Sequence, residues 1–163
     1  MSRHFRWIIA LLVLAGLLGA WMFIATARRR DFTAWEMNAI AVALARYMDL
    51  TAGQFPDSLE RLISAGLVQP EPGTRIRVTA QPMPDLGWNT LMPEGGRVDL
   101  SGLVIHWGRD VTASPGNVVE SRRFAEGLQG VSKGITAALR RYALRKRTGT
   151  PGTQPSGPAT QTR

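Results

Sequence analysis

Residues 7–27 read WIIALLVLAGLLGAWMFIATA, and residues 31–50, DFTAWEMNAIAVALARYMDL, follow after three arginines. The first run carries no charge. Its twenty-one residues, at about 1.5 Å each, make a helix of roughly 31 Å, enough to cross the hydrocarbon core of a bilayer. Arg3 and Arg6 precede the run and Arg28, Arg29 and Arg30 close it. Trp7 stands where a headgroup-level aromatic belt would place one. A cleaved signal peptide would also have a basic start, an apolar stretch and a small-x-small site, here Ala25-Thr26-Ala27. The run is longer than the about 7–15 residues of a signal core, and three arginines directly after the cleavage point oppose export. A membrane anchor is therefore expected. The basic residues on its two sides nearly balance, and the reading adopted has a cytoplasmic N-terminus with the body outside, at a bacterial-type inner membrane.

The second run continues without a linker. Asp31 suits a helix start, with Thr33 and Glu36 in reach of the first turn. Met37, Ile40, Leu44 and Tyr47 or Met48 fall on one helical face. The spacing predicts an amphipathic stalk that continues from the membrane helix or restarts after a break, and ends near Gly53. Pro56-Asp57-Ser58-Leu59-Glu60 opens a short second helix with Asp57 as the expected N-cap and Glu60 three residues on. Leu59, Leu62 and Ile63 give it an inward face, and Gly66 ends it. Arg75 to Thr79 alternates with a period of two and reads as a strand. Residues 81–96, rich in Pro and Gly, read as loop. Arg97–Leu100 and Leu103–Trp107 flank Ser101-Gly102, a candidate two-residue hairpin. Two or three strands are expected, in a small antiparallel sheet that must lean on a helix.

Residues 120–147 return to helical spacing through Phe124, Leu128, Val131, Ile135, Ala138 and Tyr142, with Gly127, Gly130 and Gly134 beside the stripe. Arg140, Arg141, Arg145, Lys146 and Arg147 load the C-terminal end, where positive charge suits the helix dipole. The segment 148–163 has no large apolar residue and reads as a disordered tail. The expected organisation is thus an anchor over 1–30, an α+β body over 31–119, a basic amphipathic helix over 120–147 and the tail.

The chain has 163 residues, 44% apolar and 20% charged, which supports one domain plus appendages. Its formal charge of +8 is uneven. Residues 31–119 hold six Arg against ten Asp and Glu, whereas residues 120–163 hold nine Lys and Arg against two acids. Absence of cysteine excludes a disulfide framework, a thiolate metal site and a cysteine nucleophile. Two histidines, His4 and His106, exclude a multi-histidine metal centre. Strand alternation sets His106 on the face opposite Ile105 and Trp107, and nothing suggests that Ser101 or Asp110 joins it in a triad. No phosphate loop, HExxH or paired catalytic carboxylate pattern appears. The expectation is a non-enzyme with no cofactor. The basic stretch 140–147 is a solvated helix end, or a contact for anionic lipid or an acidic protein; nucleic acid is the weaker option. Met37, Ile40, Leu44, Phe124, Leu128, Val131 and Ile135 are the candidate helix-packing residues, with lipid and further protein subunits as the expected partners.

One register of residues resembles a known pattern. Ala39-Ile40-Ala41-Val42-Ala43-Leu44-Ala45-Arg46-Tyr47, then Gly53-Gln54-Phe55-Pro56-Asp57-Ser58-Leu59, then Leu62 and Gly66-Leu67, is similar to the type IV pilin-like and type II secretion pseudopilin family. There, a membrane helix runs into a stalk ending in Ala-Leu-x-x-Tyr. A Gly-x-aromatic-Pro turn, a short leucine-bearing helix and a small antiparallel sheet follow. The match covers about thirty residues. The family's processing motif, Gly before Phe-Thr-Leu-x-Glu, has no counterpart, because the apolar run begins Arg6-Trp7-Ile8-Ile9. Arg109-Asp110 is a thin echo of the family's calcium loop, and the basic C-terminal helix lies outside its usual plan. The resemblance implies a divergent, anchored relative with a pilin-like fold and a structural or assembly role.

Overall fold

A computed structural model describes residues 3–81, 83 and 96–148. The tail beyond Thr148 and most of the Pro/Gly-rich loop lie outside the described residues. The architecture is α+β. A first helix, α1 (Arg3–Leu50), is followed by α2 (Leu59–Ser64), and β1 (Val68–Pro70), β2 (Arg75–Val78) and β3 (Arg97–Asp99) come next. A 3₁₀ turn (Leu100–Gly102), β4 (Leu103–Ile105), β5 (Val119–Ser121) and α3 (Gln129–Thr148) complete the order.

α1 is one unbroken helix of 48 residues, about 72 Å long. Of the two options left open by the sequence, the helix continues. Asp31 is consequently an interior residue and caps nothing. Thr33 turns its hydroxyl back to donate to the Arg29 carbonyl at 3.0 Å, and Glu36 reaches across to the backbone N–H of Asp99 at 2.8 Å. The helix has two contrasting halves. From Leu11 to Ile24 its side chains are exposed, and over Leu11–Leu50 the helix contains a stretch of mean hydropathy 1.8, long and apolar enough to cross a membrane. From Ala39 to Ala45 every side chain is fully buried.

That second half differs from the expected stalk. An amphipathic stalk keeps one wet face, and Val42 lies about 180° from the Met37/Ile40/Leu44 stripe at 100° per residue. Val42 is nonetheless fully buried. The reason is the alanines at 39, 41, 43 and 45, which let neighbours approach the helix from every side. α3 covers one flank with Ile135, Leu139, Tyr142 and Ala143, and the three-stranded sheet covers another with Ile76, Val78 and Val98. Leu62 of α2 and Val119 of β5 join the same core.

The end of α1 is set by left-handed backbone. Ala52 and Gly53 have φ of +53° and +87°, and the Gly53 N–H returns to the Met48 carbonyl at 2.7 Å. A Cβ on Gly53 would sit 3.1 Å from the Ala143 carbonyl oxygen. Gly53 therefore ends the helix and lets α3 pass close by. α2 begins after Ser58, which occupies the N-cap position in place of Asp57. Asp57 instead meets Arg61 one turn on, at 3.4 Å.

Among the described residues, five strands form two small antiparallel sheets, β1-β2-β3 and β4-β5, in place of the one expected sheet of two or three strands. The registers pair Val68 with Val78, Ile76 with Val98, and Leu103 with Ser121. The expected Ser101-Gly102 hairpin does not form. Asp99 accepts from the Ser101 N–H at 2.9 Å and Leu100 donates to the Thr74 carbonyl at 3.0 Å. These bonds tighten residues 100–102 into a 3₁₀ turn, which carries the chain from one sheet to the other. The helix expected over 120–147 is also shorter. Residues 119–121 are claimed by β4 as a strand. The Ser121 hydroxyl then accepts the Phe124 N–H at 3.0 Å, and α3 starts only at Gln129.

Candidate interaction surfaces

Three surfaces stand out: the bare apolar half of α1, the neck where that half meets the body, and the basic end of α3. The neck is built by long-range folding. α1 supplies Arg28, Arg29 and Arg30 directly after the uncharged run. The turn after β5 brings Arg123 and Phe124 alongside, some 90 residues later in the chain. Arg30 fastens this turn by donating to the Gly127 carbonyl at 2.6 Å. Between them lies an open cleft of about 680 Å³. Arg28, Arg29 and Arg123 line it together with Phe32 and Phe124. Thr33, Glu36, Asp99 and Gly102 complete its lining. Burial pushes the Glu36 carboxyl above its usual range, against the Asp99 N–H that favours its charge. The hydroxyl of Thr74 and then the Ser101 side chain and N–H hold Asp99 below its usual range.

The basic end of α3 differs from a free cationic patch. Arg140 donates to the carbonyls of Val111 at 2.9 Å and Ser114 at 2.8 Å. Arg147 reaches Asp110 at 3.2 Å and the Thr112 hydroxyl at 3.0 Å. Thr112, through its hydroxyl and its N–H, and then Arg147 hold the Asp110 carboxyl down at about 2. Lys146 pairs with Asp49, and Tyr142 donates to the same carboxylate at 2.8 Å. The Lys146 bond leads in holding Asp49 below its ordinary range, and burial followed by Asp49 pushes the Tyr142 phenol well up. Arg141 and Arg145 are exposed, the latter 5.7 Å over the Tyr142 ring.

α3 runs parallel to α1: its start lies beside Arg30 and its end beside Asp49. Asp49 is 22 residues beyond Ala27, so the basic end stands about 33 Å along the helix from the last residue of the apolar run. That is about four Debye lengths at physiological salt. Were the apolar run to span a bilayer, 140–147 would stand beyond electrostatic reach of the adjacent leaflet.

The remaining candidates fall into place around this geometry. Met37, Ile40, Leu44, Leu128 and Ile135 are buried in the single core, and Phe124 and Val131 pack against it half-buried. The five buried ones serve the chain's own core, while Phe124 and Val131 keep part of their surface exposed. Of the three glycines beside the stripe, Gly127 packs on Arg30, while Gly130 and Gly134 have open space beyond them. His106 lies 3.7 Å from Glu120; Ser101 and Asp110 are bonded elsewhere, as above. Among the described residues no group of three or more His, Asp or Glu side chains is placed to hold a metal ion. Arg123 escaped the sequence reading because nothing local ties it to the 28–30 cluster. No family model matches this chain, and neither a curated protein nor a solved structure is detectably similar to it.

Proposed function

We propose that the chain is a single-pass, membrane-anchored, non-enzymatic protein that serves as a pilin- or pseudopilin-like structural or assembly component of a secretion or pilus-type system. Its body would stand on the outer side of an inner membrane. One observation carries this reading: a single helix is bare and apolar from Leu11 to Ile24 and is the enclosed axis of an α+β head from Ala39 to Ala45. A helix that only anchored would need no such continuity. A rigid rod-and-head unit is what side-by-side packing of many copies requires.

The bare half is then the contact between copies. The chain has no cysteine, so single cysteines at Leu14 and Leu18 report on this directly. Both are more than half exposed, at 54% and 55%. Oxidation in native membranes should give a ladder of crosslinked species. Monomer alone, at every position tested along 11–24, refutes the assembly role. A cysteine at Arg141 tests orientation, because a membrane-impermeant maleimide should label it in intact cells.

A second reading has the exposed Arg141 and Arg145 recruit an acidic protein to the far end of the head. Replacing both by Gln would then abolish a salt-sensitive association; association equal at low and high salt excludes it.

A further inference from the structure

We propose that the neck cleft holds the phosphate of an anionic lipid headgroup, with Arg28, Arg29 and Arg123 as its cationic walls. The inference rests on the anchored reading above and adds a ligand to it. Its position comes first. Arg28 and Arg29 follow the last uncharged residue of the run, and Glu36 at the other end of the cleft is nine residues beyond Ala27, about 13 Å along the helix. With the run in the hydrocarbon core, the mouth of the cleft falls in the headgroup layer, which is roughly 5–7 Å thick on each side.

Charge comes next. Among the described residues, Arg28, Arg29 and Arg123 have no carboxylate within 4.0 Å. This contrasts with the far end of α3, where Lys146 and Arg147 are paired. Glu36 and Asp99 share the cleft and Arg123 acts on Glu36 through charge, so three guanidinium groups face two carboxylates; Glu36 accepts from the Asp99 N–H, and Asp99 accepts from Thr74 at 2.8 Å and from Ser101. Planar guanidinium groups match phosphate oxygens bidentately. The walls are also amphipathic. Phe32, 57% exposed, and Phe124 offer apolar surface beside the arginines, which suits a glycerol-linked acyl chain and not a free phosphate. The volume lies within the about 300–1,000 Å³ common for small-molecule sites.

The test uses the full chain in a non-ionic detergent with equal amounts of phosphatidylglycerol and phosphatidylcholine. Retained lipid is read by native mass spectrometry. Preferential retention of phosphatidylglycerol is expected. Arg123→Gln should weaken it about fivefold, and Arg28→Gln with Arg29→Gln about 25-fold. Arg141→Gln makes the same charge change at the exposed far end and should leave retention unaltered. Millimolar sn-glycerol 3-phosphate should fail to displace the lipid; full displacement would mean a water-phase phosphate ester is the occupant and overturns the lipid assignment. Equal retention of both lipids, or the same loss in Arg141→Gln as in Arg123→Gln, overturns the site. Sedimentation with phosphatidylcholine vesicles after an alkaline wash separates the two readings. Protein released by the wash refutes the anchor, whereas protein retained without a phosphatidylglycerol preference refutes the cleft alone.

Discussion

Val42→Ala separates a head threaded by its helix from a head resting on one side of a stalk. On a wet stalk face the change would be neutral or mildly favourable, because Ala exceeds Val in helix propensity by up to about 0.7 kcal/mol. In the structure Val42 is fully buried, and the change deletes two carbon atoms from a packed interior. At about 0.8 kcal/mol per buried methylene the transfer loss is about 1.6 kcal/mol. The residual cavity adds to this, because the alanines on either side cannot collapse into it. Net of the propensity gain, a loss of about 1.5–2.5 kcal/mol results, a large part of the about 5–15 kcal/mol that a domain of this size holds in reserve. Urea unfolding of the full chain in mild detergent, followed by pulse proteolysis of the head, measures it. The midpoint should fall at unchanged slope. A midpoint that stays level or rises would refute the all-round enclosure of α1.

Tyr142→Phe removes a hydrogen bond to a carboxylate at the α1–α3 seam and should cost about 1.5 kcal/mol in the same unfolding assay. Gly53→Ala forces a side chain into left-handed backbone against the Ala143 carbonyl, at a cost of at least about 1–2 kcal/mol, while Gly66→Ala, equally left-handed but facing open space, should cost less. Asp110 is held at about 2 when folded and returns to its ordinary value of 3.8 when unfolded. Its contribution is therefore complete above 3.8 and is lost as pH falls toward 2. Asp110→Asn should flatten the pH dependence of stability in that window, and an unaltered slope would show that other carboxylates set it.

Much of this architecture is written locally. The uncharged run and its arginine brackets specify the bare half of α1, and Arg75 to Val78 alternates visibly because one face meets the core. Pro56 and Gly66 bracket α2 by chemistry that acts within a few residues. What escapes the sequence is decided at a distance. Ala39, Ala41, Ala43 and Ala45 read as neutral, since a small side chain suits a wet face and a close contact equally. β1 and β5 have three residues each, too few for a period to declare itself, and their hydrogen bonds come from partners elsewhere. Phe124 and Leu128 are spaced as on a helix because they span a single turn, yet the strand pairing of Val119–Ser121 comes first. The neck cleft needs Arg123 beside Arg28, a proximity that only the completed fold creates.

The core's axis is synthesised first and its cover last. Met48 leaves the ribosome about 95 residues before Ala143, which at roughly 5–20 residues per second is a delay of about 5–20 s. Throughout that interval the flank of Ala39–Ala45 that α3 covers stands open. A nascent chain caught there would offer a ready groove to any passing helix. Truncation before Leu139 should therefore leave the seam open and direct the product to proteolysis.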